Sequence, residues 1–435
     1  MIEVAGNNLA AVVFCSELVR HGIPVRHISN HDSRLGGHFA GFLYKEKRID
    51  LGMVLLEPRF GPAKTDIVEY QGQFGQQVNQ FNHAVFAWLE SRNVILNSIS
   101  VFSHFKNTMI GDVVIADDLS FLDLVPLSEK LAIINEITIR IQVSKHHPRD
   151  KTNSTYFSET SLRDVYHEIY GPLFSKYLLG NLELLAGPNG PEVAAQFHRL
   201  SWAPLYYPEN ILRYLTTGDS GIPHLDFLLP DNSSVSQLIG NIVDEMKKSS
   251  SYSSQSLPND QYSSLVNDCI RHNSVETVIF ADERELFDGN LNAPGTLVAF
   301  IVAEIDSNLE LVVHNLDIAS KWYRATFRGR DFGVAVIELG KISPDETNEA
   351  LLVRANKCAS SIGAGTLREP IILKSNIYSF TPQVNVLFRN RHLANKRLVS
   401  GNPSCNLTDE LTGSFNNQVC LGLSSSQVMI RKAIK

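Results

Sequence analysis

The sequence predicts an α/β fold on three observations. A strand–turn–helix–strand unit opens the chain, amphipathic helical segments fill its middle, and nearly uninterrupted apolar β runs follow residue 275. The first strand is Ile2-Glu3-Val4-Ala5, followed by the tight turn Gly6-Asn7-Asn8-Leu9-Ala10. Ala11 to His21 reads as an apolar helix and Val25-Arg26-His27-Ile28 as a second strand. That order within about 30 residues is the βαβ grammar of mononucleotide binding.

In such a unit a pyrophosphate rests on the free N–H groups of a helix N-terminus, where the backbone donors and the helix dipole both favour an anion. Glycine is wanted where the chain turns sharply or approaches the phosphate closely. The three glycine positions read here as Ala5, Asn7 and Ala10. Alanine is nearly as small, and asparagine tolerates the left-handed region better than most residues. The acidic residue expected to hold the ribose hydroxyls is replaced by Ser29 and Asn30. Arg34, the Gly36-Gly37 pair and His38 follow, and then Asp50-Leu51-Gly52 leads towards Pro58.

Residues 64–92 read as helical, with apolar positions such as Val68, Phe74, Val78, Phe81 and Val85 read at spacings of three and four. Residues 94–121 alternate and suggest strands, and 126–143 reads as a helix. His146-His147-Pro148 lacks a third ligand at metal-binding spacing and reads as a polar loop. Residues 161–179 read as one helix with Ser161 as N-cap. Trp202, Tyr206 and Tyr207 crowd around Pro204 and Pro208, either as a rigid packed loop or as a face turned to a substrate. Residues 235–247 predict a helix, and the serine-rich tract 249–264 a flexible surface loop. Glu276 to Phe280 and Thr296 to Glu304 predict strands, the latter buried on both faces.

The order Arg34, Gly36-Gly37, Asp50-x-Gly52 resembles the flavoprotein superfamily of amine oxidases, protoporphyrinogen oxidases, phytoene desaturases and UDP-galactopyranose mutases. Its Arg-x-Gly-Gly turn passes the pyrophosphate and flavin, and its Asp-x-Gly segment leads to the isoalloxazine ring. At the other end, Leu398-Val399-Ser400-Gly401-Asn402 is similar to the family's strand ending in Gly-Asp. Gly413 to Leu423 is similar to its closing Gly-Ser-x-Asn-Asn-Ala-x-x-Ser-Gly helix, with Gln418 at the alanine position and Leu421-Gly422 at the Ser-Gly. Phe227 to Val235 stands at a third landmark, an aromatic–proline–Gly-Gly stretch whose glycines are gone here. Trp322 to Phe327 resembles the Tyr/His-Arg-x-Thr/Ser strand of the mutase and protoporphyrinogen oxidase branches.

The resemblance implies a discontinuous Rossmann-like FAD-binding domain from residues 1–60, 218–300 and 385–435. A substrate domain of helices and antiparallel sheet would come from 61–217 and 301–384. FAD contacts are implied at Gly6, Asn7, Asn8, Leu9, Ala10, Ser29, Asn30, Arg34, Gly36, Gly37, His38, Gly401, Asn402, Ser414, Asn416 and Asn417. Substrate contacts are implied at Trp202, Tyr206, Tyr207 and Arg324. Arg324 either reaches an anionic substrate or the flavin edge, or is an arginine at a sheet edge paired with a nearby carboxylate.

Composition narrows the class. The 435 residues, 43% hydrophobic, suffice for a substantial core, and a net charge of −7 without a basic stripe argues against a nucleic-acid partner. No apolar run approaches a membrane span, and a first strand at Ile2 leaves no room for a signal peptide, so a cytoplasmic location is expected. Cys15, Cys269, Cys358, Cys405 and Cys420 lack a CxxC pair and suit reduced thiols. No acid–base pair or nucleophile stands out, as suits a flavin that carries the redox chemistry itself.

Three functions are compatible with these observations. The first is a flavin-dependent oxidoreductase acting on a carbon–nitrogen or carbon–carbon bond of a small molecule. The second is a non-redox sugar-nucleotide mutase, disfavoured because residues 50–56 contain no histidine. The third is a degenerate member that keeps the fold, lacks the cofactor, and serves as a binding or scaffold protein.

Overall fold

The computed structural model describes residues 1–52, 54–56, 84–115, 118–145, 155–195, 206–221, 227–271, 277–280, 295–330, 332–378, 382 and 415–434. Strand β1 (Ile2–Ala5), helix α1 (Leu9–Arg20) and β2 (Val25–Asn30) form the expected N-terminal unit. Nine residues of α1 are buried, Leu9 to Ser16 and Leu18, because the helix is apolar almost all round and is covered on several sides. A hairpin of β3 (Phe42–Tyr44) and β4 (Lys47–Ile49) follows. Its turn residues Lys45 and Glu46 both have positive φ, as the twist of a two-residue hairpin loop demands.

Strands β5 (Leu96–Phe105) and β6 (Thr108–Gly111) precede helix α2 (Leu127–Val143) and the short α3 (Thr155–Glu159). The single helix expected over 161–179 is two, α4 (Leu162–Ile169) and α5 (Pro172–Ala186). Gly171, at φ 81°, and Pro172 at the first helical position break it. Ser161 does cap α4, accepting from Asp164 N. Helix α6 (Pro208–Thr217), β7 (Phe227–Pro230) and α7 (Val235–Lys248) lead to the serine-rich tract.

That tract is not a loop. Tyr252–Leu257 is strand β8, pairing in parallel with β2, and Asn259–Arg271 is helix α8. The serines face outward on an edge strand, where a polar side chain costs nothing, and backbone pairing with β2 fixes the strand. Strand β9 (Thr277–Ile279) completes a parallel sheet of order β8-β2-β1-β9. Residues 64–83, 146–148, 201–205 and 398–414 fall outside the described part, as does Cys405.

Strands β10 (Gly295–Glu304), β11 (Glu310–Asn315), β12 (Arg324–Arg328), β13 (Val334–Leu339) and β14 (Arg368–Tyr378) build the large sheet, ordered β14-β10-β13-β12-β11-β5-β6, with β7 on β5. The β5–β11 pair is parallel and the others are antiparallel. One face is lined by Ala299, Ile301, Ala325, Phe327, Ala335 and Ile337 and clusters with Leu351, Ala355 and Cys358 of α9 (Asn348–Ile362). The other face carries Val302, Val334 and Val336, which cluster with Tyr44 and Ile49 of the hairpin. Period-two alternation thus gives one sheet two different neighbours.

The chain closes with α10 (Phe415–Ile434), packed along α1. The two helices meet at Gly422, where an added Cβ would lie 2.7 Å from both Ala10 O and Val13 Cβ. Gly→Ala inside a helix ordinarily gains about 0.5–1 kcal/mol. Here Gly422→Ala is expected to lose about 1–3 kcal/mol through overpacking, read as a lower denaturation midpoint. An unchanged or raised midpoint would mean that the helices do not approach this closely. Among the described residues no helix is long and apolar enough to cross a membrane.

Candidate functional site

The site begins where β1 stops. Ala5 still pairs with Ile28 and Ile279, so the turn starts at Gly6. A Cβ on Gly6 would lie 2.7 Å from Phe280 O and 3.1 Å from Ala11 Cβ, which leaves no space for a side chain. Asn8 is the N-cap of α1; its Oδ1 accepts from Ala11 N at 3.0 Å and its Nδ2 donates to Phe280 O at 3.1 Å. The close-packed turn positions are therefore Gly6, Asn8 and Ala11, one residue beyond the expected Ala5, Asn7 and Ala10. Ala5 belongs to the strand, so one of the three glycine positions does hold a glycine.

Asn7 ties the turn to the end of β2. Its Oδ1 accepts from Asn30 N at 3.0 Å and its Nδ2 donates to Asn30 O at 3.2 Å. Asn30 Nδ2 in turn donates to Asn259 Oδ1 at 2.8 Å, and Ser29 Oγ reaches Gln255 O at 3.5 Å. Carboxamides thus crosslink the corner where a ribose carboxylate was expected. Beneath it, buried His27 donates from Nε2 to Gly6 O at 2.7 Å and accepts at Nδ1 from the Tyr252 hydroxyl at 2.9 Å. Burial lowers the His27 pKa to about 4, only partly offset by the bond to Gly6.

The Gly36-Gly37 pair folds back onto the turn. Gly36 and Gly37 have φ of 99° and 60°, and Gly36 N donates to Asn7 O at 2.7 Å. Exposed Arg34 donates from Nη1 to Gly41 O at 2.8 Å, and exposed His38 stacks on Phe39 with centroids 3.8 Å apart. Asp50 is committed to a structural bond. Its carboxylate accepts from Val235 N at 3.0 Å and Ser236 N at 2.7 Å, capping α7, while burial raises its pKa against those donors. Residues around Asp50, Gly52, Thr326 and Val336 enclose a cavity of ≈ 30 Å³, room for about two waters.

Helix α10 reaches the turn from the far end of the sequence. Gln418 Oε1 accepts from Leu9 N, the first N–H of α1, at 2.9 Å. Phe415 packs edge-on against Phe39, with centroids 5.8 Å apart. Asn416 and Asn417 lie in the first turn of α10, while Gly401, Asn402 and Ser414 are outside the described residues.

A second polar assembly crosses the large sheet. Ser103, His314, Arg324 and Glu338 are register partners on β5, β11, β12 and β13, forming one buried row. Arg324 and Glu338 make a bidentate pair, Nε–Oε1 2.8 Å and Nη2–Oε2 2.7 Å. Burial is the largest single influence and opposes the guanidinium charge, but the Glu338 charge, Tyr323 and the hydrogen bonds to Glu338 together outweigh it and raise the Arg324 pKa. Asp112 accepts from Ser103 Oγ at 3.1 Å, Ile115 N at 2.6 Å and His314 Nδ1 at 2.7 Å. Arg324 Nη1 and His314 Nε2 are buried and have no hydrogen-bond partner among the described residues. Gly52 approaches this row from the N-terminal unit, its Cβ position 3.6 Å from Arg324 Nη2.

Of the expected substrate residues, Arg324 joins this row and pairs with the carboxylate of Glu338, on an interior strand rather than the expected sheet edge. Tyr206 is fully buried, donating its hydroxyl to Val113 O at 2.8 Å and packing on Phe174. It is a core residue of the helical layer rather than an open face. Tyr207 is also buried, and Trp202 is outside the described residues. Asp112, Ser103 and His314 had not been singled out. A single polar residue inside Leu311-Val312-Val313-His314, repeated by Glu338 at the end of an apolar strand, was the available signal.

No protein-family model matches the chain, and no curated protein does. Solved structures do. Reduced UDP-galactopyranose mutase matches with a TM-score of 0.58 at 11% identity, over 100% of this chain and 93% of that one. A CLA-producing fatty acid isomerase from P. acnes matches with 0.51 at 10%, over 99% and 98%. Cyclohexylamine oxidase from Brevibacterium oxydans IH-35A matches with 0.50 at 12%, over 100% and 99%. The chain shares its fold with these three structures. These neighbours include a mutase, an isomerase and an oxidase, so the fold does not choose the reaction.

Proposed function

We propose that the chain is a flavin-dependent oxidoreductase that holds FAD at the β1–α1 turn and takes a small organic substrate against the polar row of the large sheet. The observation that carries this reading is the turn itself. Gly6 has no room for a side chain, and Gly36 is drawn onto Asn7, so two glycine-bearing segments converge at the N-terminus of a buried helix. Such a cradle fits a pyrophosphate. FAD bound there would supply the redox chemistry. The protein's share is to orient and to exclude water: α1 and α10 close the turn, and Arg324 Nη1 and His314 Nε2 offer a donor and a ring nitrogen to a polar substrate group.

A cofactor-free binding protein is the second reading. It is favoured because neutral side chains already satisfy two N–H groups at the start of α1, Leu9 through Gln418 and Ala11 through Asn8, while Asn7 is engaged by Asn30 N of β2. The visible spectrum of the purified chain, before and after incubation with FAD, separates the two. A bound flavin band is expected. Its absence after reconstitution of folded protein would overturn the enzyme and leave the binding protein.

A further inference from the structure

We propose that Gln418 is an internal competitor for FAD, supplying from within the chain an acceptor that a cofactor phosphate would otherwise provide. The inference rests on the flavin reading. Leu9 is the first residue of α1, and its N–H is one of the donors that a helix N-terminus leaves without an intrahelical partner. Gln418 Oε1 takes that donor at 2.9 Å from a residue only 7% exposed. Asn8 Oδ1 takes the donor of Ala11 two residues on, so carboxamides hold two N–H groups of the first turn.

Chemistry and position both make this a competition. A carboxamide oxygen is neutral, whereas a phosphate oxygen makes a charge-assisted bond roughly twice as strong and also gains from the helix dipole. Gln418 has the compensating advantage of being tethered. Its helix packs along α1 at Gly422, so the side chain meets Leu9 without the loss of translational freedom that a ligand incurs. A phosphate must displace the amide from Leu9 or bind with one donor fewer. The closing motif that this helix resembles has alanine at this place, a side chain that cannot reach.

The test is FAD titration of the full chain, followed by quenching of flavin fluorescence, for the natural protein, Gln418→Ala and Gln418→Glu. Gln418→Ala is expected to bind FAD about tenfold more tightly, the worth of one hydrogen bond to a charged group. Gln418→Glu puts a carboxylate on the helix N-terminus and is expected to weaken FAD at least about tenfold while raising the melting temperature without FAD. Equal or weaker binding by Gln418→Ala beside a natural protein that loads FAD overturns this proposal alone. Absence of FAD binding in all three overturns the flavin reading with it. Should Gln418→Ala fail to fold, a folded Gln418→Glu that binds FAD as well as the natural chain overturns it.

Discussion

Glu338→Ala is expected to lower stability by about 3–5 kcal/mol, the cost of leaving one member of a buried ion pair behind. Arg324 is only 6% exposed and sits on an interior strand of the large sheet, with Nη1 already unpartnered. Removing the carboxylate strips Nε and Nη2 as well, so a charged guanidinium remains buried without its counter-charge. Replacing both residues, Arg324→Met with Glu338→Leu, is expected to recover most of the loss, because a volume-matched apolar pair has no charge to compensate. Chemical denaturation with unchanged m-values measures both. A loss under about 1 kcal/mol for Glu338→Ala, the worth of an exposed pair, would show the row to be open to water.

The second large effect is a loss of stability in acid, centred on His27. Its imidazole is fully buried, neutral, and held between Gly6 O and the Tyr252 hydroxyl, with its pKa lowered from 6.5 to about 4. The unfolded chain therefore takes up a proton at this position from pH 6.5 downward, while the folded chain resists until about pH 4. The contribution is complete above pH 6.5 and falls away between these two values, totalling about 3 kcal/mol. His27→Gln removes the titrating group while keeping polar atoms in the strand. The variant is expected to show a flatter decline of denaturation midpoint between pH 7 and 4. Parallel curves for the two proteins would assign the acid sensitivity to other groups.

Local pattern made some of the architecture legible. The N-terminal unit follows from an apolar helix set between two short strands, and α2, α4 and α7 from their apolar spacing and from caps such as Ser161. The serine-rich tract misled because edge-strand pairing with β2 is a backbone property that serine side chains do not advertise. The glycine positions within the turn differ by one because Ala5 and Gly6 are both small, so spacing alone does not say which of them comes first. The polar row was illegible for a different reason. His314, Arg324 and Glu338 lie on consecutive strands, but Ser103 joins them only through the register of β5 on β11, more than 200 residues apart, which single-sequence reading does not supply.

The bond between Leu9 and Gln418 joins positions 409 residues apart. During synthesis, the opening βαβ unit therefore emerges long before the helix that covers it. Until α10 leaves the ribosome, the apolar flank of α1 at Ala10 and Val13 has no cover from that side. The turn is completed only by residues from the far end of the sequence, a long-range contact of the kind that slows folding. A ribosome stalled ahead of residue 415 would hold a nascent chain whose β1–α1 turn lacks the Gln418 acceptor for Leu9 N–H.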